Sequence, residues 1–169
     1  MELHQDDGST RYFDFLPLSI GQFRDFHIKL HLFTIPVSSL FQSTASVILR
    51  GVDGFVFVAD SRAECLVDNV KALNNCRKVL QEEGYNVSDL PRVIQYNKRD
   101  LSGIIPLEIL RHELNPSGHP DIETSARANV GVIECLELIA RQIMEKLEQG
   151  QQHSTSPGSN YGDSDPLPY

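Results

Sequence analysis

The chain has 169 residues, of which 40% are hydrophobic, and its 15 basic and 23 acidic residues give a formal net charge of −8. This length fits one ordinary domain, and the acidic balance argues against a nucleic-acid binder, which needs basic patches. No apolar run approaches the ~18 residues of a membrane span, and the N-terminus does not have the pattern of a signal peptide. The three cysteines form no CxxC pair, which favours reduced thiols in a cytoplasmic protein.

Strand and helix patterns alternate along residues 11–148. In chain order, they predict a half-exposed strand (26–35), a strand buried on both faces (54–60), a helix (63–83), a short strand (92–96), a helix opened by proline (106–114), a brief strand (121–124) and an amphipathic helix (130–147). This alternation predicts an α/β domain with a mostly parallel sheet and helices on both faces. In such sheets, ligands bind beyond the carboxyl ends of the strands.

Residues 149–169 differ in composition from the rest of the chain. They contain no Lys or Arg and are mostly Gly, Ser, Pro, Gln and Asn. Because such a segment cannot bury enough apolar surface to offset its ordering entropy, we predict a disordered tail.

Two of the predicted strands end in polar sequences with a specific chemical use. Asn-Lys-Arg-Asp (97–100) follows strand 92–96, and Thr-Ser-Ala (124–126) occupies the end of the next strand and the residues after it. An ionised Asp100 can accept two parallel hydrogen bonds from the ring N–H and the amino group of guanine, a pairing that adenine does not offer. A polar turn that caps the next segment is the structural alternative.

The neighbouring residues complete a predicted guanine site. Asn97 can bond the opposite edge of the base while bracing a loop, and the alkyl stem of Lys98 can lie over the ring. Ser125 and Ala126 have small side chains, so that a backbone N–H can approach the guanine carbonyl. The site is thus assigned to Asn97, Lys98, Asp100, Ser125 and Ala126.

Across about residues 10–148 the chain resembles the small Ras-like GTPases of the bacterial gliding-motility MglA type. The resemblance is carried by Phe-Asp-Phe-Leu-Pro-Leu (13–18), Gly-Val-Asp-Gly-Phe-Val-Phe-Val-Ala-Asp-Ser (51–61) and Val-Ile-Gln-Tyr-Asn-Lys-Arg-Asp-Leu (93–101). It implies a three-layer Ras-like, P-loop NTPase-like fold that switches between GTP and GDP forms. It also implies a roadblock-fold, MglB-like activating partner and a role in cell polarity. Thr10 matches the family's magnesium-contacting switch threonine.

Several features of that family have no counterpart in this sequence. The phosphate loop GxxxxGK[ST] is absent, because none of the five lysines is followed by Ser or Thr. The first strand and first helix of the family are missing with it, so residues 1–10 are interpreted as a remnant and 11–148 as a partial domain. Ser9 replaces the switch arginine, and Pro-Val-Ser (36–38) replaces Pro-Gly-Gln. We expect weak GTP or GDP binding, Mg²⁺ only with bound nucleotide, little hydrolysis, and no catalytic residue.

The missing first strand would lie in the middle of a Ras-like sheet, between strands 26–35 and 54–60. Its loss predicts unpaired strand edges and self-association, unless the two strands pair directly or a partner donates a strand. The predicted function is a degenerate or truncated guanine-nucleotide signalling switch. Two alternatives stay open: a non-catalytic module that keeps the GTPase surface to bind MglA-type regulators, and a fragment of a longer GTPase gene.

Overall fold

The computed structural model describes residues 2–4, 10–12, 15–23, 26–36 and 43–154. Its strands are β1 (Glu2–His4), β2 (Thr10–Tyr12), β3 (Phe15–Phe23), β4 (Phe26–Phe33), β5 (Phe55–Asp60), β6 (Arg92–Asn97) and β7 (Asp121–Glu123). Its α-helices are α1 (Ser43–Leu49), α2 (Leu66–Glu82), α3 (Leu107–Leu114) and α4 (Val132–Ser154), and a 3₁₀ turn, Ala63–Cys65, leads into α2.

The centre of the fold is a parallel sheet in the order β5-β6-β7. Residues 92–96 of β6 are all buried, as expected for a central strand covered on both faces. On one face, residues of β5 and β6 form a core cluster with α2 and α3, which includes Ala59, Leu73, Ile94 and Leu110. On the other face, Val93 packs with α4. The three layers and the parallel sheet confirm the predicted α/β, Ras-like class.

Helix α4 is longer than its sequence pattern predicted. The apolar stripe ends at Leu147, but the helix continues to Ser154, so the first six residues of the predicted tail are helical. Gln is a good helix former, and adding a residue to an existing helix forms one more hydrogen bond without a new nucleation cost. The predicted disorder of 155–169 lies outside the described residues.

Strands β3 and β4 form an antiparallel two-stranded sheet of their own, with Phe15 opposite Phe33. The predicted alternation along β4 is confirmed where the burial is described, since His27, Lys29 and His31 are exposed and Leu30 is half-buried. The ribbon β1–β2 is a third, separate sheet that the pattern did not predict.

Strand β4 does not pair directly with β5. Among the described residues, β5 has a strand partner on one side only, namely β6. Val58, in the middle of β5, is 53% exposed, although a central strand of a Ras-like sheet would be covered. Direct pairing, which was one of the expected outcomes of losing the first strand, is therefore wrong for this structure; self-association stays a prediction.

Candidate functional site

The polar residues predicted to form a site lie together at the carboxyl edge of the parallel sheet. The register pairs Asp60 with Asn97 and Tyr96 with Glu123, so the loops after β5, β6 and β7 leave the same edge. A pocket of about 360 Å³ opens there, lined by Asn97, Lys98, Asp100, Leu101, Ala126 and Arg127. The structure thus brings together four of the five residues of the predicted guanine site around one pocket, and the fifth, Ser125, contacts Asp100.

Asn97 connects the two loops through its side-chain carbonyl. Its Oδ1 accepts hydrogen bonds from the Ala126 N–H at 2.9 Å and from the Thr124 hydroxyl at 3.3 Å. Thr124 is 1% exposed, and its own N–H donates to the Tyr96 carbonyl at 2.8 Å. Because the Oδ1 atom faces the loop, the amide NH₂ of Asn97 remains as the donor for a ligand.

The Ala126 N–H already has an acceptor within the protein. We expected a backbone N–H at this position to approach a guanine carbonyl, but that of Ala126 already donates to Asn97. The approach of a backbone N–H of this loop to a guanine carbonyl stays a prediction.

Asp100 is held by Ser125. The Ser125 hydroxyl donates to Asp100 Oδ1 at 2.6 Å and accepts from the Ala128 N–H at 3.2 Å. Ser125 is buried, whereas Asp100 is exposed. The hydrogen bond from Ser125 lowers the pKa of the Asp100 carboxyl, so this group is ionised at neutral pH and its Oδ2 atom remains available as an acceptor.

Lys98 is anchored at the end of β5. It has a positive φ of 68°, and its Nζ lies 2.7 Å from Asp60 Oδ2. The same carboxylate binds the Arg62 guanidinium, with Arg62 NH2 2.8 Å from Oδ2. The hydrogen bond from Arg62, followed by that from Lys98, holds the pKa of Asp60 well below its ordinary value, and Asp60 in turn raises the pKa of Arg62.

Asp60 and Arg62 therefore support the site from beside the pocket, although the sequence pattern did not assign them to it. Asp60 is the last residue of β5 and neighbours Asn97 in the sheet register. The position of Asp60 at the carboxyl end of a predicted strand could have indicated that it lies near the site. Its carboxylate pairs with two cationic side chains, those of Lys98 and Arg62.

Thr10, the predicted magnesium-contacting residue, begins β2 and pairs with His4 of β1. Its side chain lies outside the described residues, and so do Ser9, Val37 and Ser38. Among the residues that the structure does describe, no group of three or more His, Cys, Asp or Glu side chains could hold a metal ion. In the same part of the chain, none of the helices has the length and apolarity needed to span a membrane.

Comparison with known proteins places the chain among small GTPases. No family model matches it. Mutual gliding-motility protein MglA of Myxococcus xanthus (strain DK1622) is 40% identical over 150 residues, which are 89% of this chain and 77% of MglA. Human Ras-related protein Rab-8B is 31% identical over 134 residues, 78% of this chain and 62% of its own length.

Rab-8A of Pongo abelii is 28% identical over 138 residues, 80% of this chain and 64% of that protein. The chain therefore spans less than two thirds of these Rab relatives but more than three quarters of MglA. With this identity and coverage, and with the parallel sheet and loop arrangement described above, the chain belongs to the small Ras-like GTPases of the MglA type.

Proposed function

We propose that this chain is a guanine-selective member of its family that binds GDP or GTP weakly and hydrolyses GTP little. The proposal rests on one observation: the Asn97–Ala126 and Ser125–Asp100 hydrogen bonds join the two strand-end loops around a single pocket.

The pocket has the donors and acceptors that a guanine edge requires. Asp100 keeps Oδ2 for the ring N–H and amino group, because Ser125 occupies only Oδ1. The NH₂ group of Asn97 can donate to the opposite edge of the base. Lys98 lines the pocket while its Nζ is held at Asp60, so its stem is in place to cover a ring before any ligand binds.

The proposed weakness of binding follows from the missing phosphate loop. In P-loop proteins, backbone N–H groups, the loop lysine and Mg²⁺ neutralise the phosphates. No Lys-Ser or Lys-Thr pair occurs in the 169 residues. This chain therefore has a pocket for the base but no phosphate loop to bind the phosphates. We propose that Mg²⁺ binds only together with a nucleotide, with Thr10 as its candidate contact.

The test is a fluorescence titration of the purified chain with labelled GDP, GTP and ATP in the presence of Mg²⁺. We expect guanine nucleotides to bind more tightly than ATP, with Kd values weaker than micromolar. Asp100→Ala removes hydrogen bonds to a charged group, worth about 1.5–3 kcal/mol, and should cost guanine binding roughly tenfold to a hundredfold. The matched control is Asp68→Ala, because Asp68 lies on the exposed face of α2.

Two results would contradict this proposal, each at a different point. A guanine-selective Kd of micromolar or tighter in the unmodified chain would refute weak binding. An unchanged preference for guanine in Asp100→Ala would refute the assignment of the base site.

A second candidate function is a non-catalytic module that binds a roadblock-fold, MglB-like regulator. It is favoured by one face of the β3–β4 sheet, where the directly opposed Phe15 and Phe33 are 48% and 47% exposed. The rings of Phe15 and Phe33 lie 4.9 Å apart, so they form one apolar patch, and such patches mark interaction sites.

Binding of the recombinant regulator in the absence of nucleotide tests this function. Phe15→Ser should weaken the binding, whereas Lys71→Ser, a change at an exposed position of α2 away from this sheet, should not. Self-association through the open strand edges is the competing prediction. Light scattering over a range of chain concentrations separates the two, because self-association raises the mass without any regulator. No binding of the regulator in any nucleotide state would refute the module.

A further inference from the structure

Arg99 stands between Lys98 and Asp100 in the loop after β6, and the base-recognition proposal does not use it. It is not among the residues that line the base pocket, and its side chain is only 18% exposed. Because Arg99 is the immediate neighbour of Asp100, whatever holds its backbone and its guanidinium also constrains the backbone that carries the Asp100 carboxylate.

The contacts of Arg99 reach two other segments of the chain. Its backbone N–H donates to the Thr124 carbonyl at 3.0 Å, and its Nε donates to Glu123 Oε2 at 2.8 Å. These acceptors lie at the end of β7, from which the chain continues into the other wall of the pocket. The NH1 group of the same guanidinium donates to the Ile105 carbonyl at 2.8 Å. Arg99 therefore links the loop after β6 to β7 and to the point where that loop returns.

The return point at Ile105 is firmly attached to the sheet. Ile105 is 7% exposed and belongs to the core cluster that α2 and α3 form with the sheet. Its N–H donates to the Ser61 carbonyl at 2.9 Å, and the Ser61 N–H donates to the Asn97 carbonyl at 3.0 Å. Residues 97–105 thus leave and rejoin the sheet beside Ser61, and the contact between Arg99 and Ile105 ties the two ends of this loop together.

Asp100 depends on its loop for its direction. Its side chain is exposed, and the Ser125 hydroxyl holds it at Oδ1 only, at 2.6 Å. Two parallel hydrogen bonds to a guanine edge require a defined angle of the carboxylate as well as a defined distance, and binding groups of this kind must be held to within about 0.5 Å by the residues around them. A guanidinium, whose N–H donors point in fixed directions, is suited to that task.

We propose that Arg99 is a positioning residue for base recognition, which fixes the loop so that the Asp100 carboxylate meets both the Ser125 hydroxyl and the guanine edge. This inference rests on the proposed guanine site and extends it from the residues that touch the base to one that orients them. Without the guanidinium, the loop keeps its backbone hydrogen bonds but loses its links to Glu123 and Ile105, of which the former joins two charged groups and belongs to the stronger class.

The first measurement is the titration of the Asp100 carboxyl in the full chain without nucleotide, followed by carbon-13 NMR. The hydrogen bond from Ser125 is the main cause of the lowered pKa of Asp100, and the charge of Arg127 lowers it further. The charge of Arg99 is not one of the causes, so a change in Arg99→Gln reports a displaced carboxylate. We expect the pKa of Asp100 to rise towards its ordinary value in this variant.

The second measurement compares the Kd values of GDP and inosine diphosphate, followed by NMR shifts of backbone amides. Inosine lacks the amino group that Asp100 would bind, so the ratio of the two values reports the alignment of that carboxylate. We expect the unmodified chain to prefer GDP about tenfold or more, as for one hydrogen bond to a charged group, and Arg99→Gln to prefer it about threefold or less. A role in stability alone would leave the Asp100 pKa and this ratio unchanged in the folded variant.

Arg111→Gln is the matched control. Arg111 also binds a carboxylate of β7, with its Nε and NH2 groups 2.9 and 2.7 Å from the oxygens of Asp121, but it does not line the pocket. This variant should leave the Asp100 pKa and the preference for GDP unchanged. Glu123→Gln removes the charge of one partner of Arg99 at a side chain that is 49% exposed, so it keeps the test open if Arg99→Gln does not fold. It should change both measurements in the same direction by less.

Three outcomes overturn the proposal. They are an unchanged Asp100 pKa in Arg99→Gln (or in Glu123→Gln, should Arg99→Gln not fold), an unchanged ratio in a chain that does prefer GDP, and equal changes in Arg111→Gln. A different result would refute the proposed function instead, namely an unmodified chain that binds GDP no better than inosine diphosphate. The Asp100 pKa, measured without nucleotide, would then decide by itself whether Arg99 positions that carboxylate.

Discussion

Replacing Gly131 with alanine tests whether the approach of α4 to the end of β7 positions the base site. Gly131 has a φ of +76°, and a Cβ there would lie 2.6 Å from the Glu123 carbonyl oxygen and 2.8 Å from Thr124 Cγ2. The left-handed conformation costs an alanine about 1–2 kcal/mol. Overpacking against a backbone atom costs about 1–3 kcal/mol more, so we expect Gly131→Ala to lose about 2–5 kcal/mol of unfolding free energy.

Gly103→Ala is the matched control, because Gly103 has a φ of +70° but no heavy atom within 4 Å of its added Cβ. This variant should lose only the backbone cost of about 1–2 kcal/mol. Urea unfolding measures both losses, provided that the dependence on urea is unchanged. Because relief of the clash moves Thr124, and with it the contact between Asn97 and Ala126, Gly131→Ala should also reduce guanine preference. Equal losses of stability in the two variants would refute this reasoning.

Three further predictions concern single hydrogen-bonding groups. Tyr85→Phe should lose about 1–3 kcal/mol of unfolding free energy in urea. The Tyr85 hydroxyl accepts from the N–H groups of residues 51 and 52 at 2.8 and 3.0 Å and donates to the carbonyl of residue 49 at 2.7 Å. A loss under about 0.5 kcal/mol would contradict this prediction. Folding lowers the pKa of Asp60, so this carboxylate stabilises the folded state above its unfolded pKa of about 3.9, and the stabilisation is lost as the pH falls through its folded pKa. The difference in unfolding free energy between the unmodified chain and Asp60→Asn should therefore shrink on acidification. A constant difference from pH 7 to pH 2 argues against the ion pairs. Ser125→Ala should raise the pKa of Asp100 towards its ordinary value, since Ser125 is the main cause of its lowering; carbon-13 NMR titration of the carboxyl checks this, and an unshifted titration would place the cause elsewhere.

The strongest predictions from sequence concern elements whose signal is local. The apolar run that ends in Asp60 and the one that ends before Asn97 are strands at almost the predicted bounds, because residues buried on both faces leave a continuous pattern. The 3.6-residue stripes located α2 and the start of α4, and proline at a helix start located α3. The end of α4 was missed because a polar helical extension carries no apolar stripe.

Contacts between distant parts of the chain were harder to predict. Lys98 and Asp60 are 38 residues apart. The apolar strand that ends in Asp60 and the Asn-Lys-Arg-Asp sequence that contains Lys98 are each recognisable alone, so neither of them predicted this ion pair. The same holds for Arg92, which the strand pattern treated as an ordinary first residue. Its guanidinium lies 5.6 Å above the Phe55 ring, and its NH2 nitrogen has no hydrogen-bond partner among the described residues; no local pattern encodes either fact.

The sequence by itself determined the order of strands and helices from β5 to α4, the family, and the residues at the strand ends, since these depend on periodicity and on short motifs along the chain. Only the tertiary structure decided that β4 stays apart from β5, that Ala126 donates to Asn97, and that Asp60 anchors Lys98. The physical reason is that hydrogen bonds and ion pairs require atoms within about 3 Å of each other. For residues far apart in sequence, that proximity is created by packing.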